Sequence, residues 1–381
     1  MREEQVENRA PGRMQSLDIL RGIAVMGMIL ANASAGMFYD NKAQVYATLL
    51  HVHWNGLHLA DTVFPGFLMM VGVAIPMSLD RDKRGVGQGD VGIRIARRCF
   101  RLFLIGFLLS NLHWLAHSAT ADWRFWGVLQ RIGIVYGVCA LLFLKSGPRT
   151  WITVATLLLA GYWPLLMVPQ PDGQPTDLWV RGLNFAGWVD RAMLGAGKHI
   201  YVPGAQGYDP EGLLGMLPAI AQGLIGVVIG EYMRRQRGSD SVSGGARTLM
   251  LAGAIMLVVG LVWSLVFPMV KDLWSSPFVL VTSGLTTLVL GVLHATIDRR
   301  SKPVGWPATI ALAFGSNAIA AYILHELTAI TLTWDALLLP YRWAMTWMSP
   351  QAAALVPVLL YMALIGAAMT WLRRRNWIIK V

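Results

Sequence analysis

The chain has 381 residues, 55% hydrophobic and only 14% charged, with a mean hydropathy of +0.51. That balance excludes an ordinary soluble enzyme, a disordered tail and a coiled coil, since soluble domains run near ~45–50% apolar and ~25% charged. The net charge of +11 would raise the question of nucleic acid in a soluble protein; in a lipid-embedded one it reports orientation, and no nucleic-acid partner is expected.

A helix needs about 20 apolar residues to cross the hydrocarbon core, where irregular backbone would leave hydrogen bonds unmade. Ten stretches qualify: Leu17 to Met37, Leu59 to Leu79, Cys99 to Leu112, Phe125 to Leu144, Trp151 to Val168, Leu213 to Met233, Leu249 to Pro268, Pro277 to Ile297, Thr309 to Thr331 and Gln351 to Leu372. The third is short and reaches back toward Arg97 and Arg98. The expected fold is an all-α polytopic membrane bundle of about ten transmembrane helices in a single domain over 1–381, preceded by a polar segment at 1–16. Lys and Arg beside span ends stay cytoplasmic. Arg2, Arg9 and Arg13, the run Arg81, Lys83, Arg84, Arg94, Arg97, Arg98 and Arg101, and later Lys145, Arg234, Arg235, Arg299, Arg300 and Arg373 all fall on one side. Both termini are therefore expected in the cytoplasm. Ala31, Ala33 and Ala35 resemble a signal-peptide cleavage site, but Asp18 and Arg21 interrupt the apolar core such a peptide needs. The longest loop, 169–212, falls outside, and within it Leu183 to Leu194 has the pattern of a short amphipathic helix at the interface.

Charges and imidazoles inside spans are costly, so each marks a structural pair or a working site. Asp18 and Arg21 lie three apart on one helical face, where they can pair. Asn32 sits near the outer end of the same span, and Asp61 opens the second span just past His51, His53 and His58. Arg131 lies in the fourth span, and His325 with Glu326 in the outer half of the ninth. A metal reading exists for His51 with His53 and for His113 with His117, but no carboxylate-rich spacing accompanies them and no metal is expected. A histidine beside a carboxylate suits a general base, with His51 or His53 as base and Asp61 as the group that orients it. Any one of these histidines also has a plain structural reading, as a loop residue bonded to backbone. Arg94, Arg97, Arg98 and Arg101 suit anchoring to anionic lipid, or a phosphate grip through their forked donors. The tryptophans near outer span ends form an aromatic belt. Cys99 and Cys139 provide neither a disulfide framework nor a metal pair.

Several runs carry a resemblance. SLDILRGIAVMGMILANASAG (Ser16 to Gly36) and LHVHWNGLHLADTVFPGFLMMVGVAIPMSL (Leu50 to Leu79) are followed in order by GVLQRIGIVY (Gly127 to Tyr136), YDPEGLLGMLPAI (Tyr208 to Ile220), KDLWSSPFVLVTSG (Lys271 to Gly284) and NAIAAYILH (Asn317 to His325). Together they resemble the heparan-alpha-glucosaminide N-acetyltransferase family over nearly the whole chain. The resemblance implies an integral membrane enzyme, in a bacterial inner membrane and homodimeric in the family's manner, that takes acetyl from cytoplasmic acetyl-CoA and acetylates the amine of glucosamine or a terminal glucosaminide on the far side. It implies His51 as the catalytic histidine, three residues before Trp-Asn-Gly, with Asn32 and Asp61 as its partners. Acceptor contacts are expected among Trp54, Asn55, Asp209, Glu211, Lys271, His325 and Glu326, and, because the CoA phosphates are anionic, a CoA grip among Arg97, Arg98, Arg101, Arg131 and Lys302. Asp18 and Arg21 are expected as an internal pair. Because only about 16 residues precede the first span, a small amino sugar is the expected acceptor rather than a long chain. The rival class is a proton-coupled amino-sugar transporter, in which His325 and Glu326 would relay protons. A non-catalytic scaffold leaves the outward His and Asp cluster unexplained.

Overall fold

A computed structural model describes residues 14–87, 89–116, 118, 122–195, 199–236, 242–298, 304–331 and 335–379. Most of the polar N-terminal segment and Lys302 lie outside the described residues. The helices are α1 (Gln15–Tyr39), α2 (Leu59–Lys83), α3 (Val91–Ser110), α4 (Leu112–Ala116), α5 (Val128–Lys145), α6 (Pro148–Leu166), α7 (Phe185–Leu194), α8 (Met216–Arg235), α9 (Val242–Trp263), α10 (Ser276–Leu293), α11 (Trp306–Ser316), α12 (Ala318–Thr331), α13 (Asp335–Ala344) and α14 (Pro350–Arg374). A π-helical turn, His294–Asp298, continues α10. The protein is an all-α polytopic membrane bundle, and among the described residues the extended pairing amounts to two isolated bridges.

Among the described residues, seven helices (α1, α2, α5, α8, α9, α10 and α14) are long and apolar enough to cross a membrane alone. The expected ninth span is a broken pair: α11 and α12 meet at Asn317 with a bend of 80°, and as one span they bring the number to eight. The other two expected spans are α3 and α6. Arg94, Arg97, Arg98 and Arg101 ride on α3, which starts eight residues earlier than the apolar run because Asp90 caps it, accepting from the Gly92 and Ile93 N–H groups at 2.7 and 3.2 Å. In α6, the apolar stretch is diluted by Arg149, Thr150, Thr153, Thr156 and Tyr162.

Two of the interior clusters join most of the long helices. Leu68, Val135, Leu224 and Phe278 bring α2, α5, α8 and α10 into one, and Ile29, Phe314 and Val358 bring α1, α11 and α14 into the other. In lipid, association relies on close packing rather than on exclusion of water, so small residues mark the contacts. A Cβ on Gly226 or Gly230 of α8 would collide with the Met69 or Val73 carbonyl oxygen of α2. Gly22 of α1 and Gly315 of α11 seat their helices against each other in the same way.

The two ends of the bundle differ in charge. At the basic end Arg234 bridges Asp80 at 3.0 Å and Glu231 at 2.9 Å, Lys83 donates to the Phe143 and Ser146 carbonyls at 2.6 and 2.7 Å, and Ser16 donates to Asp298. The opposite end carries the loops 50–58, 122–127, 167–215 and 264–275, where the expected site lies.

Candidate active site

α2 begins at Leu59, which puts Asp61 in its first turn, where a carboxylate complements the free N–H groups of a helix start. The Asp61 side chain is fully buried. Its Oδ2 accepts the backbone N–H groups of His58 at 2.9 Å and Val52 at 3.2 Å, and its Oδ1 meets His51 Nδ1 at 2.7 Å. A carboxylate can only accept, so His51 donates from Nδ1 and its Nε2 is left as a lone pair pointing elsewhere. The His51 side chain is 42% exposed, open to an incoming group. Lys271 Nζ stands 3.9 Å from the same Oδ1. His53 lies apart from this dyad, with its Nε2 3.3 Å from Arg181 Nη1, and His58 Nδ1 donates to the Leu50 carbonyl at 2.9 Å. The choice between His51 and His53 as the partner of Asp61 therefore falls on His51.

The loop that carries His51 is zipped to the one that carries Lys271. Gly56 N–H donates to the Met269 carbonyl at 2.9 Å, and Asn55 Oδ1 accepts the Met269 N–H at 3.0 Å. Trp54 is buried, its indole N–H on the Leu178 carbonyl at 3.0 Å and its ring edge-on to Tyr208. Trp54 and Asn55, expected at the acceptor, thus also tie the loops together, Trp54 through its indole N–H and Asn55 through its Oδ1.

Asp209 and Glu211 are gathered by a residue that sequence reasoning missed. Arg124 Nε and Nη2 donate to Asp209 at 2.9 and 2.6 Å, and Nη2 also donates to Glu211. Burial alone would raise the Glu211 carboxyl, but Arg124, Arg131 and Lys271 hold it below its ordinary range. Burial likewise opposes the Arg124 charge, and Glu211 and Asp209 outweigh it, keeping the guanidinium above its ordinary value. Behind them Asp190 accepts the Asp209 and Leu213 N–H groups at 3.1 and 3.3 Å, and burial pushes its carboxyl up to about 7. On α7, Asp190 and Arg191 face inward while Ala192 and Met193 face outward, so the expected interfacial helix forms with its charges buried.

Arg131 is fully buried at this end, 4.6 Å from the Trp274 ring, with Nη2 donating to the Pro210 carbonyl at 2.9 Å. It braces the Glu211 loop and lies away from the basic end, where a CoA grip was expected. His325 donates to or accepts from Tyr361 at 2.9 Å, and Thr328 joins the same hydroxyl at 2.6 Å. Glu326 bonds the Tyr322 hydroxyl instead, so the neighbouring His325 and Glu326 serve separate clusters.

Toward the basic end lies a cavity of about 700 Å³ lined by Asp18, Arg21, Arg98, Tyr136 and Ile379 among others. Asp18 and Arg21 pair at 3.4 Å on its wall. Arg98 lies over the Tyr136 ring at 4.3 Å, and its buried Nε has no hydrogen-bond partner among the described residues. Arg97 and Arg101 are exposed on the outer face of α3, away from this cavity. Phe67, Ile132, Ala318 and Ile319 also line a second, small apolar cavity of about 20 Å³ that continues toward the other end past Met28, Phe64 and Tyr322. Asn32 falls on the α1 face that bears Val25 and Met28, two turns beyond the first and one beyond the second.

The family model described as "Heparan-alpha-glucosaminide N-acetyltransferase, catalytic" matches residues 13–267. The chain is 30% identical over 366 residues to the human heparan-alpha-glucosaminide N-acetyltransferase, covering 83% of this chain and 53% of that protein. Against the mouse protein of the same name identity is 27% over 372 residues, covering 85% of this chain and 55% of that one. The chain thus spans about half the length of the curated relatives it matches. With the family model spanning the His51–Asp61 dyad, Arg124, Asp209 and Glu211, this membrane bundle belongs to the heparan-alpha-glucosaminide N-acetyltransferase family.

Proposed function

We propose that the protein transfers the acetyl group of acetyl-CoA, drawn from the cytoplasmic basic end, to the amine of glucosamine or a terminal glucosaminide at the opposite end. The observation that carries this reading is the His51–Asp61 dyad, 2.7 Å apart, with His51 exposed and its Nε2 free of Asp61. Amine attack on a thioester needs the amine to lose a proton, which Nε2 accepts while Asp61 steadies the imidazolium that forms. As the thioester carbonyl gains negative charge, Asn32 is the side chain proposed to donate to it. The proton held on His51 then leaves with the CoA thiolate. A route in which Nε2 itself takes the acetyl group and passes it to the amine uses the same atoms.

The basic cavity supports the donor side of this reading. Its volume falls in the range of about 300–1,000 Å³ common for ligand sites. The unpartnered Nε of Arg98 and the Arg21 guanidinium on its wall suit phosphate oxygens, and the apolar passage beyond suits a thin, uncharged arm. Arg98 therefore carries the phosphate role forward, ahead of Arg97 and Arg101. The clustering of Lys and Arg at this end supports a plasma-membrane orientation with the basic end inside. The test is transfer of labelled acetyl from acetyl-CoA to glucosamine by purified protein in detergent. Product is expected, whereas accumulation of unmodified sugar by reconstituted vesicles without product would favour transport.

A further inference from the structure

Beside the dyad lies a cluster to which the reaction above gives no part. Tyr201 is 63% exposed, yet it is firmly held: its N–H donates to Asp209 Oδ2 at 3.2 Å, and the Arg124 guanidinium lies 4.6 Å from its ring centroid. Arg124 is itself locked onto Asp209 and Glu211, so one ring face is covered and the other is open. Asp272 directly follows Lys271. Its Oδ2 accepts the Tyr208 hydroxyl at 2.6 Å and lies 3.8 Å from Arg181 Nη2, both on that one oxygen. Val202, next to Tyr201, pairs with Tyr208 through two backbone hydrogen bonds of 3.1 Å, and Tyr208 reaches Asp272, so Tyr201 and Asp272 belong to one loop cluster. Lys271, one residue before Asp272, brings its ammonium toward the Asp61 oxygen that holds His51.

A hexosamine ring presents an apolar C–H face and an edge of hydroxyls. An exposed, ordered aromatic face matches the first, and a carboxylate that accepts from hydroxyls matches the second. We propose that Tyr201 and Asp272 form the acceptor subsite: the hexosamine ring stacks on the open face of Tyr201, Asp272 accepts from its hydroxyls, and the amine reaches His51 Nε2. Arg124 is then a positioning residue, holding Tyr201 from behind. The assignment rests on the acetyltransferase reading and names the part of that site that recognises the sugar.

The test varies glucosamine and acetyl-CoA separately in initial-rate measurements on purified wild type, Tyr201→Ala, Tyr201→Phe and Asp272→Asn. Tyr201→Ala is expected to raise KM for glucosamine about tenfold, as loss of an anchoring aromatic contact does. Tyr201→Phe keeps the ring face and stays within about threefold, Asp272→Asn raises the same KM, and KM for acetyl-CoA moves by less than about twofold in all three. Transfer by the wild type with an unaltered glucosamine KM in Tyr201→Ala overturns the subsite and leaves the reaction standing. If the wild type transfers no acetyl, the reaction fails instead, and calorimetric binding of glucosamine judges the subsite. About tenfold weaker binding to Tyr201→Ala supports it; equal binding, or none to the wild type, overturns it.

Discussion

Replacing Asp61 by Asn separates the charge of the dyad from its shape. The fully buried carboxylate accepts three donors, from His51 at 2.7 Å, His58 at 2.9 Å and Val52 at 3.2 Å. An amide has one accepting oxygen, which the two backbone N–H groups claim, so its NH2 group turns to His51. His51 must then accept at Nδ1 and carry its proton on Nε2, the wrong tautomer for a base. In hydrolase triads that reversal costs about 10⁴ in kcat, and a loss of about 10³- to 10⁴-fold, or roughly 4–5.5 kcal/mol in the barrier, is expected here. Initial rates of acetyl transfer measure it, and thermal unfolding in detergent confirms that the variant is folded. A folded Asp61→Asn protein that keeps a tenth or more of wild-type kcat would refute the role given to this pair.

Three further outcomes follow from other parts of the structure. Arg124→Met leaves Asp209 and Glu211 buried without their shared cation and should cost about 3–5 kcal/mol of stability, seen as a large drop in Tm, with Glu211→Gln added to it recovering part of the loss. Burial raises Asp190 to about 7, so its folded carboxyl prefers the proton and the contribution to stability is present at low pH and lost as pH rises through 7. Relative to Asp190→Asn, the wild type should therefore gain Tm as pH falls from about 7.5 to about 5, and parallel Tm curves for the two proteins would contradict that assignment. Asn317→Ala removes the amide that grips the returning C-terminal segment, through the Trp377 carbonyl at 3.1 Å and the Ile379 N–H at 2.9 Å. Since Ile378 and Ile379 line the basic cavity, KM for acetyl-CoA should rise by about three- to tenfold with that for glucosamine little changed, and the opposite split would sink the placement of the donor.

What could be read from the chain and what could not divide along the range of the interactions. Asp61 lies ten residues from His51 and at the first turn of an apolar run, so the dyad follows from a local pattern. The membrane bundle follows from apolar length in the same way. The start of α3 was hidden because its arginines have the composition of a loop, and only the Asp90 cap signals that a helix begins there. The break at Asn317 was hidden for a different reason: Thr309 to Thr331 is apolar enough overall to read as one span despite Asn317, His325 and Glu326, and the bend depends on Gly315 seating against α1 and on the C-terminal segment reaching Asn317. Arg124 pairs with carboxylates 85 and 87 residues away, a register no local pattern encodes. Trp54 and Asn55, in the most recognisable run, also hold loops together, through contacts with residues 124 and 214 positions away that no local pattern encodes. Tyr201 carries no motif, and Asp272, though it follows Lys271 in a recognisable run, meets Tyr208 and Arg181 only through the fold.

The central claim is that His51 does the chemistry at the end of a donor path through the bundle. Transfer of labelled acetyl from acetyl-CoA to glucosamine, run on wild type and His51→Ala side by side with acetyl-CoA binding measured on both, tests it most directly. Product is expected from the wild type, with a loss of at least about 10³-fold in His51→Ala and acetyl-CoA still bound. Transfer by His51→Ala at a rate near that of the wild type would contradict it.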